Sequence, residues 1–274
     1  MRPGRAVKPG VAAPLTPHTA MIQLAIHGAA GRMGQRLVAL AADDPDLQVA
    51  AAIDTPGSGH KNGVTSDKLD PSATPPIDVL IDFTLPDGFR GALAYCRETQ
   101  TPLVVGTTGL TAADQSALDE AAKTIPLIQA TNFSQVVNVL NHLAAQAVRL
   151  LGDGYDLEIL EAHHRYKQDA PSGTALTLAR VVADAAGRDY DRSVKLARHG
   201  DDPRQPDDIT VQTLRIGDHP GEHTLFLAAP GERLELKHVS TSRDSYAAGA
   251  LRAAKWLVGR SAGRYTMADV LGIH

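Results

Sequence analysis

The sequence predicts an α/β fold: a doubly wound parallel sheet, followed by a second α+β domain with a mixed or antiparallel sheet. Three observations carry this. Short apolar runs alternate with helical patterns from Met21 to about 151; the first run ends in a glycine-rich turn that opens a helix; and beyond 156 the rhythm becomes one of half-buried strands separated by Gly and Pro turns. At 274 residues the length also favours two domains, at roughly 150 residues each.

Ile22-Gln23-Leu24-Ala25-Ile26 reads as the first strand. It runs into His27-Gly28-Ala29-Ala30-Gly31-Arg32-Met33-Gly34 and then a helix through Leu37, Val38 and Leu40. Glycines at 28, 31 and 34 allow a tight turn, although alanine replaces the usual second glycine of a dinucleotide fingerprint. The next apolar run, 49–53, ends at Asp54, about 20 residues after the last glycine, where a carboxylate accepts hydrogen bonds from an adenosine ribose. This strand, turn and helix define a Rossmann-like dinucleotide-binding domain.

A Gly/Pro/Ser/Asp-rich loop extends to Pro76. A buried-type strand over 78–83 then ends at Thr84, followed by a helix over 87–98. Leu103-Val104-Val105 ends in Gly106-Thr107-Thr108-Gly109, and Thr111 caps a helix running to 123. The run 127–130 leads to Thr131-Asn132-Phe133-Ser134 and a helix over about 136–151. Ligands of such sheets bind at the carboxyl ends of the strands, here Gly28, Asp54, Phe83-Thr84, Gly106-Thr107-Thr108 and Asn132-Phe133.

In the second half, 156–161 alternates as a half-buried strand, 174–186 is helical, and a polar loop runs to 208. Strands follow over 209–216, 222–228 and 234–240. An amphipathic helix over 245–258, with Trp256 as a core residue, returns to the first domain. The domains are thus 21–134 with 245–274, and 135–244. Residues 1–20, with four prolines and several cations, read as a disordered leader.

Glu161 to Thr174 (EAHHRYKQDAPSGT) places four potential cations ahead of a helix start. Ser172 is a good N-cap, Gly173 permits close approach, and the first N–H groups of the helix point at a bound carboxylate or phosphate. His163, His164 and Lys167 add cations and proton donors. Adjacent histidines lack the i, i+4 spacing of a helical zinc pair, so no metal is expected.

A net charge of −4 argues against a nucleic-acid partner, and no apolar run reaches the ~18 residues of a membrane span. The single cysteine, Cys96, cannot form an internal disulfide and reads as a buried core residue, consistent with a reducing, cytoplasmic setting.

From Met21 onward the chain resembles the bacterial 4-hydroxy-tetrahydrodipicolinate (dihydrodipicolinate) reductase family. The resemblance rests on GAAGRMG at 28–34, DFT at 82–84, GTTG at 106–109, NFS at 132–134, EAHHRYKQDAPSGTA at 161–175, GEHT at 221–224 and GERLELKH at 231–238. It implies His163 as catalytic acid/base, Lys167 as proton donor, and His164, Gly173 and Thr174 as substrate contacts, to which the helix start adds Ser172. Contacts to NADH or NADPH would fall on Gly28, Ala29, Ala30, Gly31, Arg32, Met33, Asp54, Gly106, Thr107, Thr108, Ala130, Thr131, Asn132 and Phe133. It further implies a cyclic dicarboxylate imine as substrate and a homotetramer built through the second domain. Direct proton transfer and relay or orientation stand open as roles for both His163 and Lys167.

The chain departs from the family pattern in places. Thr55 stands where many relatives have an arginine for the 2′-phosphate, with Lys61 further along; Gln135-Val136 follow NFS; Asp208-Ile209-Thr210 replaces a common Ile-Gly pair. The first half would equally suit a homoserine or semialdehyde dehydrogenase, but those need no dianion constellation. A nicotinamide-sensing protein would need no proton donor.

Overall fold

A computed structural model describes residues 20–55 and 66–273. Almost all of the expected leader, and Lys61, lie outside the described residues. In chain order the first half comprises β1 (Ile22–His27), α1 (Arg32–Ala42), β2 (Leu47–Ile53), β3 (Val79–Asp82), α2 (Pro86–Thr99), β4 (Leu103–Val105), α3 (Ala112–Ala121), β5 (Pro126–Gln129) and α4 (Gln135–Leu151). The second half adds β6 (Asp156–His163), α5 (Gly173–Ala185), α6 (Tyr190–Ser193), β7 (Val194–Leu196), β8 (Ile209–Arg215), β9 (Gly221–Ala229), β10 (Glu232–Ser240), α7 (Asp244–Leu257), β11 (Gly263–Tyr265) and α8 (Met267–Leu271).

Six strands form one parallel sheet in the order β11-β5-β4-β3-β1-β2. Parallel strands are covered on both faces and are therefore apolar throughout; Val79, Leu80 and Ile81 are completely buried. One face packs Leu24 and Ile26 against Leu37 of α1 and Ala250, Ala254 and Trp256 of α7. The other packs Leu80 against Phe89 and Cys96 of α2 and Leu118 of α3. Burial in that layer pushes the Cys96 thiol far above its ordinary range.

The second sheet runs β10-β9-β6-β8-β7 and is mixed: β9 is antiparallel to β10 and β6, whereas β6, β8 and β7 are mutually parallel. One face carries Leu157, Ile159, Val211 and Leu225 onto α4 and α5 through Leu140, Leu178 and Val182. By strand alternation the other face carries Leu160, Leu214, Phe226 and Val239. Leu214 and Val239 there are 46% and 48% exposed.

The fold class read from the sequence is the one observed, with element ends within a few residues. The expected caps form, Thr111 in a full capping box with Asp114 and Ser172 on α5, and Ser134 caps α4 as well. Two short elements, α6 and β7, lie within the stretch expected as a polar loop, and β11 and α8 follow the last helix that the sequence predicts. A three-residue strand or four-residue helix lacks a full hydrophobic period, and pairing with a neighbouring strand supplies what the local pattern does not.

The return of α7 brings Gly249 onto the segment before α4, where a Cβ would stand 1.9 Å from the Phe133 carbonyl oxygen. Gly249→Ala is therefore expected to cost at least about 3 kcal/mol, a fall of roughly 6 °C or more in Tm. Gly91→Ala, on the open side of α2 with nothing within 4 Å, should instead gain about 0.5–1 kcal/mol. Thermal unfolding of both variants checks the pair.

Candidate active site

The glycine turn closes on itself and on its neighbours. Gly28 has φ +86°, and a Cβ there would meet the Phe83 carbonyl oxygen at 2.6 Å; at Gly34 a Cβ would meet the Gly28 oxygen at 2.1 Å. Ala29 points inward and is fully buried. The N–H groups of Gly28 and Ala29 go to Ile53 O, and Gly31 N–H goes to Gly28 O. The helix that follows has no side-chain cap at Gly31, unlike α3, α4 and α5. Its first N–H groups, on Arg32, Met33 and Gly34, are those that a helix start leaves without an intrahelical acceptor, and among the described residues no side chain at the N-cap takes one of them. An uncapped helix start at the carboxyl end of β1 suits the diphosphate of a dinucleotide.

Asp54 adds a support that the sequence did not foretell. Its Oδ2 accepts the Ala30 N–H at 2.7 Å and its Oδ1 accepts the Thr55 N–H at 2.7 Å, so the carboxylate first holds the turn. Oδ1 also accepts the Thr55 hydroxyl at 3.3 Å, which leaves Oδ2 with a further lone pair for a ribose hydroxyl. Thr107 likewise faces inward: its hydroxyl donates to Asp82 at 2.6 Å and accepts the Thr84 N–H at 3.0 Å. Thr108 is exposed. Gly106 leaves room for the Phe83 ring, whose atoms would lie 2.4 Å from a Cβ.

On the second sheet, β6 delivers His163 from its buried face, and the chain then turns. His164 N–H donates to His219 O, and Lys167 N–H donates to His164 O at 3.1 Å. That turn brings positions 163 and 167 to one cavity. Lys167 Nζ pairs with Asp169 at 2.7 Å. Ser172, expected among the substrate contacts, is committed inside the fold. Its hydroxyl accepts the Ala175 N–H at 3.2 Å and meets His223 Nε2 at 3.1 Å, and its N–H donates to Glu161 at 3.2 Å. Among the described residues, the donors left at the start of α5 are therefore the N–H groups of Gly173 and Thr174.

These parts surround a cavity of about 340 Å³ between the two sheets, into which Arg32, Phe83, Thr131, Asn132, His163, His164, Lys167, Thr174, Arg243 and Tyr246 project. Met33, Gly106 and Phe133 also line it, whereas Gly28, Asp54, Thr107, Ala130, Ser172 and Gly173 stand behind or beside its wall. Asn132 Nδ2 donates to Thr174 Oγ1 at 2.9 Å and so bridges the halves. The cavity is cationic. Burial, then the charges of Arg243, His163, Lys167 and Arg32, lower the His164 pKa, and its buried Nδ1 has no partner. Arg243, Pro220 and Tyr246 were not singled out in the sequence. They join the cavity only because β9 and the turn before α7 pass alongside it.

Glu161, His163 and His223 place ligand atoms within 4.8 Å of one another, a spacing that a metal ion could use. Here both Glu161 oxygens already receive Arg215, at 2.9 and 3.1 Å, which sets a guanidinium where a metal cation would compete. His223 is buried, and its ring lies 5.3 Å from that of His163 and 5.7 Å from that of His238.

A parallel sheet with an uncapped helix start, facing a cationic cavity shared with a mixed sheet, defines a two-domain oxidoreductase that uses a nicotinamide dinucleotide. The dinucleotide fits the residues present, since the close-packed glycines and free N–H groups lie where its diphosphate would pass. Residues 22–133 match the family model "Dihydrodipicolinate reductase, N-terminus" and residues 136–271 the model "Dihydrodipicolinate reductase, C-terminus". A 4-hydroxy-tetrahydrodipicolinate reductase of Alkalilimnicola ehrlichii is 47% identical over 265 residues, covering 92% of this chain and 99% of that relative. One of Thiobacillus denitrificans is 45% identical over 264 residues, covering 92% and 99%. The chain belongs to the dihydrodipicolinate reductase family. A solved dipicolinate-bound dihydrodipicolinate reductase from Paenisporosarcina sp. TG-14 shares the fold, with a TM-score of 0.70 at 23% identity, covering 91% of this chain and 98% of that one.

The buried histidines set a pH dependence. Burial first, then the neighbouring His163 and His238, push His223 from 6.5 down to about 3; His238 moves the same way. A folded pKa below the unfolded one means that the unfolded chain binds the extra proton between those values. Stability is then fully present above pH 6.5 and is lost as the pH falls toward 3, by up to about 1.4 kcal/mol per pH unit for each such group. Urea unfolding at pH 7.5, 6 and 5 should show this slope, and His223→Gln should flatten it.

Proposed function

We propose that this chain reduces the dehydrated form of 4-hydroxy-tetrahydrodipicolinate to tetrahydrodipicolinate, with water lost from the hydroxylated ring. The observation that carries this reading is the convergence of Arg32 and Arg243, one from each half, with Lys167 and the His164 imidazole on a cavity that Thr174, at the start of α5, also lines. That is the charge pattern for a planar ring bearing two carboxylates. One carboxylate lies at the Gly173 and Thr174 N–H groups with the Thr174 hydroxyl, and the other meets His164, Lys167 and Arg243. When bound, the reduced nicotinamide supplies a hydride for ring C4. The chain supplies the proton for C3 from His163 or Lys167, both of which face the ring, while Phe83 and Phe133, 5.7 Å apart, wall the nicotinamide side and exclude water. The homotetramer would form through the uncovered face of the second sheet, a reading supported by its exposed Leu214 and Val239. The lone buried thiol of Cys96 supports a cytoplasmic setting.

The test couples this protein to the aldolase-type synthase that makes the hydroxylated ring and follows nicotinamide absorbance; signal requiring both proteins supports the reaction. Both NADH and NADPH should support turnover, with NADH at least equal, because Thr55 replaces a phosphate-binding arginine. Lys167→Ala should lower kcat by roughly 100-fold or more with NADH affinity unchanged. Wild-type turnover by that variant would remove Lys167 from the proton path.

Pyridine-2,6-dicarboxylate, planar and dianionic like the substrate, should compete with it. Charge-assisted contacts contribute on the order of 1.5–3 kcal/mol each, so His164→Ala and Thr174→Ala should each weaken the inhibitor at least several-fold by calorimetry with cofactor present. Equal affinity across the three proteins would place the substrate elsewhere.

A further inference from the structure

Glu161 is completely buried and receives four hydrogen bonds. His163 Nδ1 donates to Oε2 through a short contact. Arg215 Nη1 and Nη2 donate to Oε2 and Oε1 at 3.1 and 2.9 Å, and Ser172 N–H donates to Oε1 at 3.2 Å. Arg215 also donates to the Asp169 carbonyl at 2.5 Å, and Asp169 is the partner of Lys167. One carboxylate thus touches His163 directly, the start of α5 through Ser172, and the Lys167 turn through Arg215.

We propose that Glu161, clamped by Arg215, is a positioning residue that fixes which His163 nitrogen faces the substrate and holds the carboxylate-binding helix start in register with it. The inference rests on His163 and the start of α5 acting as described above. Which ring nitrogen of a histidine carries the proton is set by the bond that the other makes. With Nδ1–H given to Glu161, Nε2 is the nitrogen left for the cavity. It lies beside the bare backbone of Gly221, where a Cβ would stand 2.9 Å from it and 3.5 Å from the Tyr246 hydroxyl. Burial alone would raise the Glu161 carboxyl, but the hydrogen bonds from His163 and Arg215 outweigh it and hold it at about 2. Glu161 is therefore an anion throughout the working range.

The other titratable or charged groups around His163 do not compete for Nδ1. His223 on β9 is bonded to Ser172, His238 on β10 stacks behind His223, and Arg215 on β8 points at Glu161. Lys167, His164, Arg243 and Tyr246 face the cavity. A glutamine at 161 would keep the shape and could still accept from Arg215. Its amide, however, would offer N–H to Nδ1 and drive the imidazole proton to Nε2, the wrong tautomer for the same geometry.

The test uses full-length protein labelled with ¹⁵N-histidine. In wild type at high pH, His163 should show a protonated Nδ1 and a bare Nε2. The reverse assignment overturns the proposal without any variant, including the case in which Glu161→Gln does not fold. In Glu161→Gln the tautomer should invert, kcat should fall at least about 100-fold while KM changes less than about tenfold, and the kcat profile from pH 6 to 9 should change shape. Glu161→Asp should fall between the two proteins in rate and keep the wild-type tautomer. Turnover in Glu161→Gln within threefold of wild type, with an unchanged pH profile, would reduce Glu161 to a structural ion pair. His163→Gln separates this outcome from failure of the underlying reading: if it too turns over normally, His163 itself has no part in the reaction.

Discussion

A carboxylate taken out of water must be matched atom for atom, and in this molecule the match at Glu161 organises the second half of the chain. Removing one member of a buried ion pair typically costs about 3–5 kcal/mol, because the other is left uncompensated. The pair Glu161–Arg215 therefore fixes the register of β6 against β8, where His163 stands opposite Arg215, and anchors the irregular segment 164–171. That segment has little regular secondary structure of its own. It is held at its start by backbone bonds from His164 and Arg165 to the turn before β9 and further along by the guanidinium, which donates to the Asp169 carbonyl.

The parallel sheet uses the same device. Asp82, also fully buried, accepts from His27 Nδ1 at 2.9 Å and Thr84 Oγ1 at 2.8 Å on one oxygen, and from Thr107 Oγ1 at 2.6 Å on the other. One carboxylate thereby gathers the carboxyl ends of β1, β3 and β4, the edge along which a dinucleotide lies. Residues such as Thr107 and Asp54 shape that edge by orienting backbone. Their influence on a ligand passes through the turn they hold.

Much of this was legible in the sequence because local pattern and tertiary structure agree. Buried parallel strands are apolar at every position, the caps at Thr111 and Ser172 are short-range chemistry, and the glycines at 28 and 34 answer to a positive φ at the first and a contact within the same turn at the second. The cluster His163, His164, Lys167 and Thr174 was visible as a single run of residues. Arg243 and Tyr246 were not, because their place beside His163 depends on α7 returning 80 residues later. Glu161 and Arg215 were equally hidden: a glutamate in an alternating strand reads as a solvent-facing residue until its neighbour across the sheet is known. Ser172 had the right local role, but its hydroxyl turned out to serve His223 and the helix and not the cavity.

Where the cavity-lining Pro220 leads into Gly221, bare main chain is pressed against the imidazole edge of His163, with no room for a Cβ. Enzymes under selection by a small competitive inhibitor often escape by narrowing the pocket with a bulkier side chain. At this wall that route is closed, since even a methyl group would intrude on the ring that the proposed chemistry needs free. A compound that reaches its affinity by lying flat against this strip of backbone would press on a surface that substitution cannot easily remodel, and resistance would have to arise at the more adaptable cationic rim.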